Sequence, residues 1–75
     1  MLKNEFKFII ASAPDREKVA CEIYYNDEII AEISQETDEL MLAIYPPQTN
    51  KWWEIPLLQF QTILEDARKH LLSID

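Results

Sequence analysis

Pro56-Leu57-Leu58-Gln59-Phe60-Gln61-Thr62-Ile63-Leu64-Glu65-Asp66-Ala67-Arg68-Lys69-His70-Leu71-Leu72-Ser73-Ile74 is the run that decides the fold. Leu57, Phe60, Leu64, Ala67, Leu71 and Ile74 recur at steps of three and four, which draws one apolar stripe down a helix, widened by Leu58 and Ile63. Gln59, Gln61, Glu65, Asp66, Arg68 and Lys69 fall mostly on the other side. Pro56 suits the first helical position, where its missing N–H is no loss, and Lys69 and His70 suit the negative pole at the far end. A helix of this kind cannot bury its stripe alone. The rest of the chain must supply the surface that receives it.

Upstream, the period changes to two. Residues 5–11 alternate Phe6, Phe8 and Ile10 against Lys7 and Ile9, and residues 19–25 set Val19, Cys21, Ile23 and Tyr25 against Ala20, Glu22 and Tyr24. Residues 28–34 and 40–45 complete four strands, the last with Leu40, Leu42 and Ile44 on one side and Met41, Ala43 and Tyr45 on the other. Pro14 and the charges after it mark a solvated loop with one helical turn opening at the proline, and Pro46-Pro47 stops the fourth strand. Asn26-Asp27 is the turn between strands two and three, because both residues tolerate the positive φ that glycine would otherwise supply.

A two-residue turn there sets Ile29, Ala31 and Ile33 on the face of Tyr24, Glu22 and Ala20, whereas a three-residue loop over 26–28 pairs Tyr25 with Ile29 and unites the apolar sets. Burial favours the longer loop, with a bulge. Short connections predict an antiparallel meander, so the expected class is α+β: a four-stranded sheet packed on one face by the C-terminal helix, in a single domain spanning 1–75. The other face, carrying Lys7, Ile9, Glu22, Tyr24, Ile30, Glu32, Met41, Ala43 and Tyr45, is mixed rather than polar, which hints at a binding surface or a homodimer. In the lead-in to the helix, alternation turns Trp53 and Ile55 inward and leaves Trp52 exposed.

Composition excludes more than it assigns. The chain of 75 residues has no glycine, so Walker and Rossmann phosphate loops are ruled out. Fourteen acidic against seven basic residues give a net charge of −7, which argues against direct contact with nucleic acid or an anionic membrane and favours a basic partner protein, including one that itself binds nucleic acid. One cysteine, Cys21, precludes an intrachain disulfide or a cysteine-rich zinc site, and it is expected as a small core residue. No stretch has the length of a membrane span or the pattern of a signal peptide, so the expected compartment is the cytoplasm.

Asp66 and His70 lie four apart on a helix, the spacing of half a metal site, but a dipole-complementing role is expected of them, and no metal or cofactor is. The carboxylate pairs Glu22 with Glu32, Asp27 with Glu28, Asp38 with Glu39 and Glu65 with Asp66 read as solvated charge, since so short a chain has little room for the pocket that acid–base catalysis needs. An enzyme is not expected. The groups that could recognise a partner are Trp52, Tyr24, Tyr25, Tyr45 and Met41 among Glu22, Glu28, Glu32, Glu36, Asp38 and Glu39, and the partner-binding set expected from them is Tyr24, Tyr45, Trp52, Glu22, Glu32, Glu36 and Asp38.

The layout, with Cys21-Glu22-Ile23-Tyr24-Tyr25-Asn26-Asp27, Ala31-Glu32-Ile33-Ser34-Gln35-Glu36 and Pro56-Leu57-Leu58-Gln59-Phe60, resembles small bacterial and phage-borne proteins of a β-meander and a helix. In general style it is similar to toxin-immunity proteins and to phage inhibitors of bacterial defence, anti-CRISPR proteins among them. The resemblance implies a stoichiometric inhibitor that occludes a partner protein, in a sharper variant by carboxylates that imitate phosphates at a nucleic-acid site. The alternative is a structural module that self-associates through the open sheet face or an edge strand, without a hetero-partner.

Overall fold

The structure, a computed structural model, describes residues 5–48 and 50–73. Four strands, β1 (Phe6–Ala11), β2 (Ala20–Tyr25), β3 (Glu28–Ser34) and β4 (Met41–Ile44), precede the helix α1 (Leu57–Leu72). The strands form one antiparallel sheet in the order β1-β2-β3-β4, and α1 packs on one face of it, so the fold is the expected α+β meander with a helical cover. Ile74, the last member of the expected stripe, lies outside the described residues.

The register of β2 against β3 differs from expectation and explains the core. The turn is the two-residue one: Tyr25 pairs with Glu28, and Asn26 and Asp27 take φ of 50° and 69°, the mirror-image turn that matches strand twist. The bulge lies further in. Tyr24 pairs with Ile29 but Ile23 pairs with Ala31, so Ile30 is an extra residue on β3. It joins the core with Cys21, Ile23, Ala31 and Ile33 rather than the open face. Had the turn's register continued unbroken, Cys21 would face Glu32 and the charge would point into the core. One inserted residue sends Ile33 inward opposite Cys21 and Glu32 outward opposite Glu22.

The helix covers this face unevenly, packing chiefly on β1 and β2. Ala67 and Leu71 are fully buried, and Phe60, Ile63 and Leu64 are partly so. Leu57 and Leu58, expected in the stripe, are 68% and 75% exposed. They stand at the helix start, where Pro56 is the cap residue rather than the first helical one, no side chain caps the entry, and Phe60 N–H reaches Pro56 C=O at 3.0 Å. Tertiary contacts hold this entry instead. Trp53 donates its indole N–H to Tyr45 C=O at 2.6 Å, Tyr25 meets Trp53 edge-on at 6.5 Å, and Phe6 touches both Tyr25 (4.7 Å) and Phe60 (6.1 Å). Trp53 is therefore inward and Trp52 outward, as alternation predicts. At the other end, Ser73 N–H returns to Lys69 and His70 carbonyls, and the His70 ring lies 5.2 Å from Phe8.

Uneven cover has an energetic signature. Leu71→Ala is expected to lower the free energy of unfolding by about 2–4 kcal/mol, and Leu58→Ala to change it by less than about 0.5 kcal/mol. Urea denaturation followed by circular dichroism measures both; equal losses would show that α1 lies elsewhere on the sheet.

Candidate functional site

Among the described residues, two surfaces of the sheet stand out once the helix is in place. The first is the sheet face away from α1. The register sets Glu22 directly opposite Glu32, a like-charged pair that destabilises a bare sheet. The structure resolves it with nearby donors. Tyr24 donates its hydroxyl to Glu22 Oε1 at 3.1 Å, and Glu32 Oε1 accepts from Arg16 Nη2 at 2.9 Å and Tyr45 Oη at 3.0 Å. Arg16 is brought there by the β1–β2 loop, where a single turn closes with Arg16 N–H bonded to Ala13 C=O. Its Nη1 is buried and has no hydrogen-bond partner among the described residues.

Glu32 is consequently 9% exposed and part of the fold's own wiring. Of the expected partner-binding residues it is the one the structure withdraws from the surface, and the reason is long-range: Arg16 and Tyr45 come from other parts of the chain to cover it. Burial and the hydrogen bond to Glu32 hold the Tyr45 phenol above its usual range, and the hydrogen bond to Glu22 does the same for Tyr24.

The other expected residues are dispersed. Glu36 is exposed, yet its two oxygens accept the backbone N–H groups of Glu17 (3.1 Å) and Lys18 (2.9 Å), which clamp the β1–β2 loop to the β3–β4 loop and depress its pKa. Asp38 is exposed in the same β3–β4 loop, and Trp52 is 65% exposed beyond β4. Tyr24, Glu22 and Tyr45 share the face with Glu32, half-buried. Of these seven, Glu22, Tyr24, Glu32 and Tyr45 gather on one face, while Glu36, Asp38 and Trp52 lie in the connections.

The second surface lies along β4: an edge strand was expected only as a route to self-association, and the helix-side strip beside it was expected to be covered. Leu42 and Ile44 pair with Ile33 and Ala31 on the helix side of the sheet, but α1 stops short of them, and every residue of β4 is exposed, Ile44 at 60%. Between β4 and the flank of α1 runs an open groove of about 330 Å³, floored by Ile33, Leu40, Leu42 and Leu64 and flanked by Glu65 and Arg68. Arg68 is held by Glu65 through two hydrogen bonds of 2.7 and 2.9 Å, so this ion pair brings no net charge to the groove. A comparable depression on the other flank of α1 is lined by Phe6, Leu58, Ile63 and Asp66. One signal for the β4 surface was present in the sequence. Met41-Leu42-Ala43-Ile44 carries neither charge nor proline, unlike a strand blunted against pairing.

The chemistry sought for catalysis is dispersed as well. Cys21 is fully buried, and burial pushes its thiol up to about 11. Among the described residues no three His, Cys, Asp or Glu side chains cluster as metal ligands, and no helix is long and apolar enough to cross a membrane. Comparison with known proteins finds no matching family model, no matching curated protein and no matching solved structure. Geometry alone therefore carries the functional argument.

Two measurements probe this wiring. Glu32→Ala, which strands Arg16 and Tyr45 together, is expected to cost about 2–4 kcal/mol in urea denaturation, against less than about 0.5 kcal/mol for Asp38→Ala. Because the folded-state pKa of Glu36 is depressed, its contribution is complete above the ordinary glutamate range and is lost as pH falls through the folded value. Glu36→Gln should therefore flatten the acid limb of stability against pH; an unchanged limb would contradict the clamp.

Proposed function

We propose that this chain is a small acidic binding protein, of the stoichiometric inhibitor or immunity kind, that works by occluding a surface of a partner protein. The observation that carries the reading is the uncovered apolar strip of β4 and its groove, set in a molecule of net charge −7. An exposed apolar surface of this kind, framed by charge, is the usual anatomy of a protein-binding patch. The surplus of carboxylates suits a basic partner, steering its approach and raising the rate of encounter. Such a partner includes a protein that handles nucleic acid, whose phosphate site the acidic surface would block in the manner of anti-CRISPR inhibitors. Action by occlusion needs no catalytic group, and a cytoplasmic setting fits the reduced, buried Cys21.

Co-purification of a tagged copy from cells carrying the native neighbouring genes tests the reading. The expected result is one partner at fixed stoichiometry, bound roughly tenfold more weakly when salt is raised from about 0.05 to about 0.5 M. Trp52→Ala is expected to weaken the same complex roughly tenfold. Recovery of no stoichiometric partner, or of a complex indifferent to salt, would overturn it.

A further inference from the structure

Among the described residues, the outer edge of β4 has no strand paired with it. β4 is the last strand of the sheet, and its inner side is fixed by the bond from Tyr45 N–H to Ile30 C=O at 2.9 Å, with Ala43 opposite Glu32 and Met41 opposite Ser34. Antiparallel ladders alternate, so Met41 and Ala43 spend their N–H and C=O groups on β3, while those of Leu42 and Ile44 turn to the open edge. The side chains of the same two residues are exposed on the helix side, and Leu42 lines the groove.

Edges are ordinarily blunted by charge, proline or a bulge. β1, the opposite edge, carries Lys7, ion-paired with Asp27 at 3.0 Å, and the chain just before it is fastened to the β2–β3 turn by two hydrogen bonds between Glu5 and Asn26. β4 is short and ends before Pro46-Pro47, but its four residues carry no charge, proline or bulge, and the β3–β4 loop places exposed Glu36, Asp38 and Glu39 immediately before it.

We propose that this edge accepts an extended, cationic segment of the partner protein as a fifth strand. The proposal rests on the reading of the chain as a protein-binding protein. Backbone hydrogen bonds at Leu42 and Ile44 supply the pairing, alternate apolar side chains of the segment lie beside exposed Leu42 and Ile44, and its Lys or Arg residues answer the acidic loop. Charge complementarity selects this occupant over a second copy of the chain. Two copies would each bring a charge of −7, and stable interfaces engage roughly 20–30 residues a side, whereas β4 offers four. Strand addition is the mode that draws its affinity from the main chain instead of from area.

Amide hydrogen exchange of the isotope-labelled protein tests it. The probes are a short peptide of alternating valine and threonine with lysine pairs at both ends, and a glutamate-flanked counterpart. The lysine-flanked peptide is expected to slow exchange at Leu42 and Ile44 about tenfold or more while Met41 and Ala43, already bonded to β3, change little. The glutamate-flanked peptide should have no effect. Leu42→Lys, whose backbone is unaltered, should lose at least about tenfold in peptide affinity, and Ile44→Pro should remove an outward N–H without touching the inner ladder.

Unchanged exchange at Leu42 and Ile44, equal binding of both peptides, or protection of these amides by self-association alone would overturn the proposal. The two readings fail separately. A captured partner that binds Leu42→Lys as well as the wild type refutes the edge and leaves the binding function. Peptide protection without any captured partner refutes the function and leaves the edge.

Discussion

The extra residue in β3 governs the rest of the structure. A hairpin closed by Asn26 and Asp27 in the left-handed region has a set register, and that register would place Glu32 against Cys21 in the core. Inserting Ile30 shifts the pairing by one beyond Ile23. Three consequences follow together: Ala31 joins Ile30 in the core, Ile33 meets Cys21, and Glu32 turns to the opposite face. A buried, unpaired carboxylate would cost several kcal/mol, more than the local disruption of one ladder site, so burial decides the contest in favour of the bulge.

The same event organises both faces. On the outward side, Glu32 becomes the acceptor around which Arg16 and Tyr45 gather, so what a strand diagram shows as an open acidic face is partly closed by its own hydrogen bonds. On the inward side, β1 presents Phe6, Phe8 and Ile10, and the aromatic contacts among Phe6, Tyr25, Phe60 and Trp53 draw the start of α1 toward β1 and β2. A single helix is too narrow to cover four strands, and here it sits off-centre. What is left is a strip on β4 that is apolar, uncharged and backbone-open on one side. The working surface proposed above is thus a by-product of where the helix is anchored.

Much of this was legible in the residues. The stripe of α1, the four strands, the prolines that end β4, the turn at Asn26-Asp27 and the opposed fates of Trp52 and Trp53 all follow from local period and backbone preference. The features that were not legible are those set by distance. Glu32 reads as a surface charge until Arg16, sixteen residues earlier, is brought over it. Leu57 and Leu58 read as stripe, and Leu42 and Ile44 as covered, until the lateral position of the helix is known. The bulge was expected, but its place was not, because a loop of three residues satisfies the apolar pattern as well as a turn of two followed by an insertion. Only the whole pairing, with β4 in place, tells them apart. For the candidate site, residue type pointed to the acidic open face and offered an edge strand only for self-association, whereas geometry directs attention to an edge whose four residues carry neither charge nor proline.

The bulge is most directly tested by cross-strand nuclear Overhauser contacts between β2 and β3. The account predicts contacts of Cys21 with Ile33 and of Ile23 with Ala31, alongside Tyr24 with Ile29 at the turn end. Contacts of Cys21 with Glu32 and of Ile23 with Ile30 would mean an unbroken register, and would contradict it.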